Sequence, residues 1–301
     1  QTECAGPDRR RVLSSHEPVH REPRMTTQAN VLTARSEKVF TITFNREDKM
    51  NAMSASFLAD LKAALDSVKE DDAVSVVVLK ATGKAFTTGY DLDGGDWVLS
   101  QNPIATAGTL DLDRDRQDIE SLLEYWWTMW RFPKPIVAQV QGLCLSGGGE
   151  LIAMCDLVVA ADIAKFGHPA ARDLGIPPTV FLWPLLIGMR NARELLYTAR
   201  LFSAQEAQAM GLINRVVPLE ALDATVAELA ADIAKTPVDN LAILKQATSN
   251  FYENMGLFAS GAQAAELDAL FHQSESFVRF FTKVAEEGVQ AALADRKARF
   301  G

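Results

Sequence analysis

Gly142-Leu143-Cys144-Leu145-Ser146-Gly147-Gly148-Gly149-Glu150 is the stretch on which the reading of this chain turns. Ile136 to Val140, an apolar and partly β-branched run, precedes it, and Leu151-Ile152-Ala153-Met154 follows. The pattern predicts a strand, a glycine turn and a helix start. Residues without side chains let a ligand approach the backbone closely. A helix start exposes unpaired N–H groups and a partial positive charge. Such a corner stabilises negative charge developing on a carbonyl oxygen. Glu150 falls in the first turn, beside that oxygen, where a carboxylate can move protons at the adjacent carbon. The same residues also meet a purely structural demand, since the glycines permit tight strand–helix packing and the acid favours the helix dipole.

Working outward, a second glycine turn, Lys84-Ala85-Phe86-Thr87-Thr88-Gly89-Tyr90-Asp91-Leu92, follows the valine-rich strand expected over Ala73 to Lys80. One backbone N–H from each turn would make a two-point oxyanion hole. Val39 to Phe44 reads as another strand. Ser54 is a candidate cap for a helix with Phe57, Leu58, Leu61, Leu65 and Val68 on one face. Strand, helix and strand in succession, with continuous apolar runs, predict an α/β fold whose parallel sheet is covered on both faces. Ser100 to about Asp118 reads as a polar loop, whose aspartates solvate it rather than bind metal. Ile119 to Trp130 reads as a helix carrying Tyr125, Trp126, Trp127 and Trp130, ended by Pro133 and Pro135. Leu157 to Ala160 is a further buried strand.

The 301 residues carry 30 basic and 39 acidic side chains, a net charge of −9, and 48% of them are hydrophobic. That composition supports a large core and argues against a disordered chain. The acidic balance argues against nucleic acid as a partner, since phosphate binding needs a basic face. No run of eighteen apolar residues predicts a membrane span. Cys4, Cys144 and Cys155, with four scattered histidines, match no zinc pattern and read as free thiols of a cytoplasmic protein. Residues 1–24 hold Arg9, Arg10 and Arg11 among acids and small residues, without an apolar signal core. They are expected to form a disordered arm, with Met25 a candidate start. Residues 25–218 are expected to form the α/β core. Residues 219–301, poor in glycine and rich in alanine, are expected to form a helical oligomerisation region.

Four blocks, in order, resemble the crotonase (enoyl-CoA hydratase/isomerase) superfamily from about Val39 to Gly301. Asn45 to Met53 is similar to the family's NRP-x-x-x-NAL turn, with Glu47 in place of proline. Lys84 to Leu92 is similar to its K-A-F-x-x-G-x-D-L/I. Pro135 to Asp156 is similar to its G-x-x-x-G-G-G-x-E-L-x-x-x-C-D block, and Ala204 to Pro218 to its E-A-x-x-x-G-L-V-x-x-V-V stretch. The resemblance implies a crotonase-like spiral of ββα turns, a helical C-terminal trimerisation region, acyl-CoA substrates and an enolate held by the N–H groups of Tyr90 and Gly147. It implies no metal and no cofactor beyond the coenzyme A of the substrate, and a homotrimer or hexamer whose interface includes Phe271, Phe277, Phe280 and Phe281. Thr88, Gly89 and Gly148 are expected beside the substrate. Arg46 and Lys49 are candidate phosphate contacts, as is Arg296 or Lys297 in the C-terminal block, and Trp127 belongs to a cluster that would shape the acyl pocket.

The departures bear on mechanism. Hydratases of this family carry a second glutamate after a phenylalanine-glycine-x-proline run. Here Phe166-Gly167-His168-Pro169 is followed by Ala170 and Ala171, which cannot carry a proton. Asp173, one helical turn beyond Ala170, is a candidate substitute, with a surface position as the alternative. His168 is a candidate titrating group or a hydrogen-bonded structural histidine. Hydration of a 2-enoyl-CoA is the first expectation. Double-bond isomerisation is the runner-up, followed by thioester hydrolysis, decarboxylation or a non-catalytic acyl-CoA binder. A remote alternative is a Clp-like serine protease using Ser146, His168 and Asp173.

Overall fold

Three times along the chain a buried strand turns sharply into a short second strand and a helix brings the chain back. The computed structural model describes residues 29–106 and 108–300. The arm expected over residues 1–24, with Cys4, lies outside the described residues. A hairpin of β1 (Val31–Ser36) and β2 (Val39–Phe44) comes first, then α1 (Ala55–Asp66). The first turn is β3 (Val76–Ala81), β4 (Ala85–Thr87) and α2 (Leu112–Trp130). The second is β5 (Ile136–Val140), β6 (Leu143–Leu145) and α3 (Gly147–Ala153). The third is β7 (Leu157–Ala161), β8 (Lys165–Gly167), α4 (Leu182–Ile187) and α5 (Met189–Thr198). Then come β9 (Phe202–Ser203), α6 (Ala204–Met210) and β10 (Arg215–Val217). Five helices close the described chain: α7 (Leu222–Ile233), α8 (Val238–Asn254), α9 (Leu257–His272), α10 (Glu275–Glu287) and α11 (Val289–Phe300).

First strands stack into one sheet, ordered β1-β2-β3-β5-β7-β10, and second strands into another, ordered β4-β6-β8-β9. Pairing is parallel except for β1 with β2 and β8 with β9. This is the α/β spiral that the resemblance implies. The corner between β5 and β6 depends on Gly142, at φ +63°. A Cβ there would overlap the carbonyl oxygen of Lys84, where β4 begins. Only glycine fits both the left-handed backbone and that close approach.

Alternation within the large sheet explains its unbroken apolar runs. Val77, Leu79, Ile136, Ala138 and Val158 face the main core. Val76, Val78, Val137 and Val159 face the other way and pack with Leu222, Val226 and Ala230 of α7. The division at residue 218 therefore cuts through a packed unit, because α7 covers the second face of the sheet.

Two further expectations change. The loop expected up to Asp118 is already helical from Leu112. Asp111 caps α2 by accepting from the Arg114 N–H at 2.8 Å, and Arg116 pairs with Glu120 one turn later. The aspartates do not all solvate this segment: Asp115 is buried, and Asp118 accepts from Ser100 and from the Gln101 N–H. The phenylalanines assigned to an interface are also partly reassigned. Phe277, Phe280 and Phe281 of α10 are buried within the chain, clustered with Leu110 and Trp97. They pin down the segment between β4 and α2, which forms one wall of the site.

Candidate active site

Short strands β4 and β6 lie side by side, so the two glycine turns that leave them meet. On one edge of the first turn, Met53 donates its N–H to the Gly89 carbonyl at 2.8 Å and accepts from the Asp91 N–H at 3.0 Å. Alternate backbone groups of an extended segment point to opposite sides. The Tyr90 N–H therefore turns away from Met53, to the side on which β6 and α3 lie. Gly147 opens α3, and its N–H has no preceding helical carbonyl to bond. Neither N–H has an acceptor among the described residues. Gly89, at φ +97°, lets the turns close: a Cβ there would lie 2.8 Å from Ser146 Cβ and 3.0 Å from Gly147 N. Ser146 itself holds φ 50° and ψ −118°, a backbone that favours glycine. It is anchored by its N–H bond to the Gly167 carbonyl at 2.9 Å.

One turn into α3, Glu150 is only 1% exposed. Its Oε2 accepts from the Tyr90 hydroxyl at 3.1 Å, and that hydroxyl accepts from the Trp126 indole at 3.2 Å. Burial pushes the Glu150 carboxyl up to about 8; the Tyr90 bond opposes the shift and nearby Asp268 adds to it. Glu150, Tyr90, Ser146, Gly147 and His168 line a small cavity of about 70 Å³, walled also by Trp97, Leu99, Ile119, Leu122 and Ile176. A larger cavity of about 580 Å³ shares Tyr90, Ser146, Ala170 and Leu174 with it and extends past Thr88 and Lys49. A small cavity thus adjoins a larger one.

Several expected site residues are elsewhere or otherwise engaged. Asp173 is fully buried, but in ion pairs with Arg296 at 2.6 Å and Arg299 at 3.4 Å. Neither the catalytic nor the surface position expected for it holds, because it ties α11 to the loop after β8. Arg296 is committed there, and also donates to the Pro169 carbonyl. Arg46 pairs with Asp91 at 2.9 Å and donates to the Ala52 carbonyl, so its guanidinium braces the first turn instead of awaiting a phosphate. Lys49 pairs with Asp93, both exposed. Gly148 does not open toward a ligand, since a Cβ there would meet Thr87 Cγ2 at 2.7 Å. Trp127 packs between Phe181 and Phe258, and of the tryptophan cluster it is Trp126 that reaches the site.

His168 lines the cavity, and its buried ring has no side-chain hydrogen-bond partner among the described residues, facing the backbone of Ser146 and Gly175 instead. Burial pushes its pKa down to about 4, so the ring is neutral at pH 7. Among the described residues no hydrogen bond joins His168 to the Ser146 hydroxyl, and Asp173 is held by arginines, so the serine–histidine–aspartate alternative has no assembled triad.

Three buried groups were not expected. Asp268 and His272, one turn apart on α9, line the cavity opposite α3. His272 Nδ1 lies 2.7 Å from Asp115 Oδ2 of α2, and Nε2 lies 3.6 Å from Asp268 Oδ1. Asp268 also accepts the Ile176 N–H at 2.8 Å. Burial pushes Asp268 up to about 6. Burial also opposes charge on His272, but Asp268 and Asp115 outweigh it and hold its pKa above the ordinary imidazole value. A sequence signal for this exists. Gly261, Ala264, Ala265, Asp268 and His272 recur at three- and four-residue spacing, so an acid and a histidine share the small-residue stripe that packs on α2.

Residues 34–301 match the model of the enoyl-CoA hydratase/isomerase family. A crotonyl-CoA hydratase of Syntrophomonas wolfei is 34% identical over 277 residues, spanning 90% of this chain and 97% of that protein. The crystal structure of an enoyl-CoA hydratase from Mycobacterium smegmatis superposes with a TM-score of 0.82 at 27% identity, over 90% of this chain and 94% of the other. An enoyl-CoA hydratase/isomerase from Xanthobacter autotrophicus Py2 gives the same TM-score at 29% identity, over 91% and 100%.

Proposed function

This chain belongs to the enoyl-CoA hydratase/isomerase family, and from that premise we propose that it adds water to the double bond of a 2-enoyl-CoA through a thioester enolate. The observation that carries this reading is Glu150, buried on the cavity wall one helical turn beyond the unpartnered Gly147 N–H and hydrogen-bonded to the side chain of Tyr90, whose own N–H has no acceptor among the described residues. The thioester oxygen sits between the N–H groups of Tyr90 and Gly147. As hydroxide character builds at C3, the double-bond electrons move onto that oxygen, and the two donors stabilise it. Each such donor is worth about 2.7–4 kcal/mol of barrier. Glu150, kept protonated by burial, delivers its proton to C2.

Coenzyme A lies along the outer channel past Thr88 and Lys49. The Lys49–Asp93 pair is exposed, hence worth about 0–1 kcal/mol, and opens readily in favour of a phosphate. Self-association into trimers uses the apolar face left exposed on α8, with Ile243, Leu244 and Phe251. The unpaired Cys144 and Cys155 support a cytosolic assignment; among the described residues no helix is long and apolar enough to cross a membrane. One observation favours isomerisation as the second reading: Ala170 and Ala171 stand where the family's second glutamate falls.

A panel of 2- and 3-enoyl-CoA thioesters, followed by NMR in D2O, tests the reading. Conversion of 2-enoyl-CoA to 3-hydroxyacyl-CoA is expected. Movement of the double bond without hydration would assign the site to isomerisation instead. The pH profile of hydration carries a further expectation. Glu150 acts protonated, so kcat falls as pH rises through about 8. The Tyr90 hydroxyl donates to the carboxylate and favours its charged form. Tyr90→Phe therefore moves that alkaline limb to higher pH; a limb that stays in place or moves down would count against this role for Glu150.

A further inference from the structure

We infer that Asp268 is the second proton-transfer group of this site, taking the proton from the attacking water, with His272 and Asp115 as the residues that position it. The inference rests on the hydration reading. A single carboxyl that supplies the C2 proton leaves the water proton without an acceptor, and the loop after β8 supplies none at Ala170 or Ala171. Across the chamber from α3, α9 supplies a carboxylate in the same cavity as Glu150. Its placement follows from close packing of α9 on α2. A Cβ at Gly261 would lie 2.8 Å from Trp127 and 2.9 Å from Leu123, so only a bare backbone permits that approach. Two turns on, Asp268 reaches the cavity wall.

Gly175, at φ +135°, leaves the room this needs, since a Cβ there would lie 2.8 Å from Asp268 Oδ1. Both contacts of this carboxylate fall on Oδ1, which accepts the Ile176 N–H and lies 3.6 Å from His272 Nε2, while the other His272 nitrogen is fixed by Asp115. The groups facing Asp268 are His272 on its own helix, Asp115 from α2, Glu150 from α3 with the Tyr90 phenol, and neutral His168 from the loop after β8. Their environments push the two carboxyls apart, Glu150 to about 8 and Asp268 to about 6. A protonated acid and an ionised base therefore coexist near pH 7, the division of labour that hydration demands.

In the forward step one O–H bond of water breaks, its proton passes to Asp268, and the oxygen bonds to C3. The double-bond pair moves to the thioester oxygen. It then returns to form the C2–H bond with the proton of Glu150. The cycle closes when a proton passes from Asp268 to Glu150 through exchanging water.

The test separates the two protons. Crotonyl-CoA hydration and C2 proton exchange of butyryl-CoA in D2O are measured on the same preparations. Asp268→Asn should lower the ratio of hydration to exchange by about 10²–10⁴-fold, while Glu150→Gln should lower both rates by about that factor. Equal hydration by Asp268→Asn and wild type, or a parallel loss of both rates in a variant with native circular dichroism, would overturn the assignment. If Asp268→Asn does not fold, His272→Gln decides. Losing the adjacent cation raises the Asp268 pKa, so the acidic limb of hydration should move to higher pH with exchange unchanged; an unmoved limb overturns the proposal. A wild-type enzyme that exchanges C2 protons but hydrates no enoyl thioester would instead remove the hydration reading, and this role with it.

Discussion

Glu150→Gln lowers kcat for enoyl-CoA hydration by about 10²–10⁴-fold, the range spanned by loss of a positioned acid or base. Glutamine keeps the shape and still accepts from the Tyr90 hydroxyl, so the Trp126–Tyr90 arrangement survives and KM for the thioester changes little. The loss lies in proton delivery alone. The same substitution has an opposite effect on stability. Burial raises the folded-state pKa of this carboxyl to about 8. Between the ordinary carboxylate range and pH 8 the folded protein holds a proton that the unfolded chain has released, so wild-type stability declines as pH rises through that window. Glutamine cannot ionise. The variant should therefore unfold at higher denaturant concentration than wild type at pH 8–9, with the difference shrinking toward pH 5. A variant inactive because it is misfolded would show the reverse.

Gly142→Ala destabilises the fold by about 3–5 kcal/mol, at the upper end for single substitutions. Two causes add at this position. A left-handed backbone costs a residue with a Cβ about 1–2 kcal/mol. The methyl group also overlaps the backbone carbonyl of Lys84, which cannot rotate aside as a flexible side chain would. The corner where β5 turns into β6 must open, and β4 moves with it. Because β4 and β6 carry the two N–H groups, hydration falls along with stability. For a chain of this size the thermal midpoint should drop by roughly 10 °C, measured by circular dichroism. Gly95→Ala is the control: its Cβ would meet no atom within 4 Å and its φ is ordinary, so the change should stay within about 0.5 kcal/mol.

Much of the fold is legible along the chain because its causes are local. Period-two burial and valine-rich runs mark β2, β3, β5 and β7. Ser54 caps α1 by accepting from the Phe57 N–H at 3.3 Å. The short strands β4, β6 and β8 are hard to see, at three residues each, because they gain their pairing only when the spiral stacks. The first turn of α2 is masked because Leu112, Asp113 and Arg114 are exposed and the one buried residue, Asp115, is a polar side chain whose partner, His272, lies far along the chain.

The same division runs through the site. Glycine spacing and the acid after it mark the two turns and Glu150 in the sequence, since each follows from one strand–turn–helix corner and its neighbour, and the family resemblance singles out Tyr90 and Gly147 within those turns. The charges that surround them do not follow. Whether Arg46 is free or bound to Asp91, whether Asp173 faces substrate or two arginines, and whether α9 brings Asp268 and His272 over Asp115 depend on pairings across 45, 123 and 157 residues. The sequence by itself determined the scaffold and the first acid, because backbone geometry and burial pattern are written in neighbouring residues. Only the tertiary structure decided which buried charges meet, because a carboxylate's partner is chosen by packing distant helices together and leaves no trace in the spacing of its neighbours.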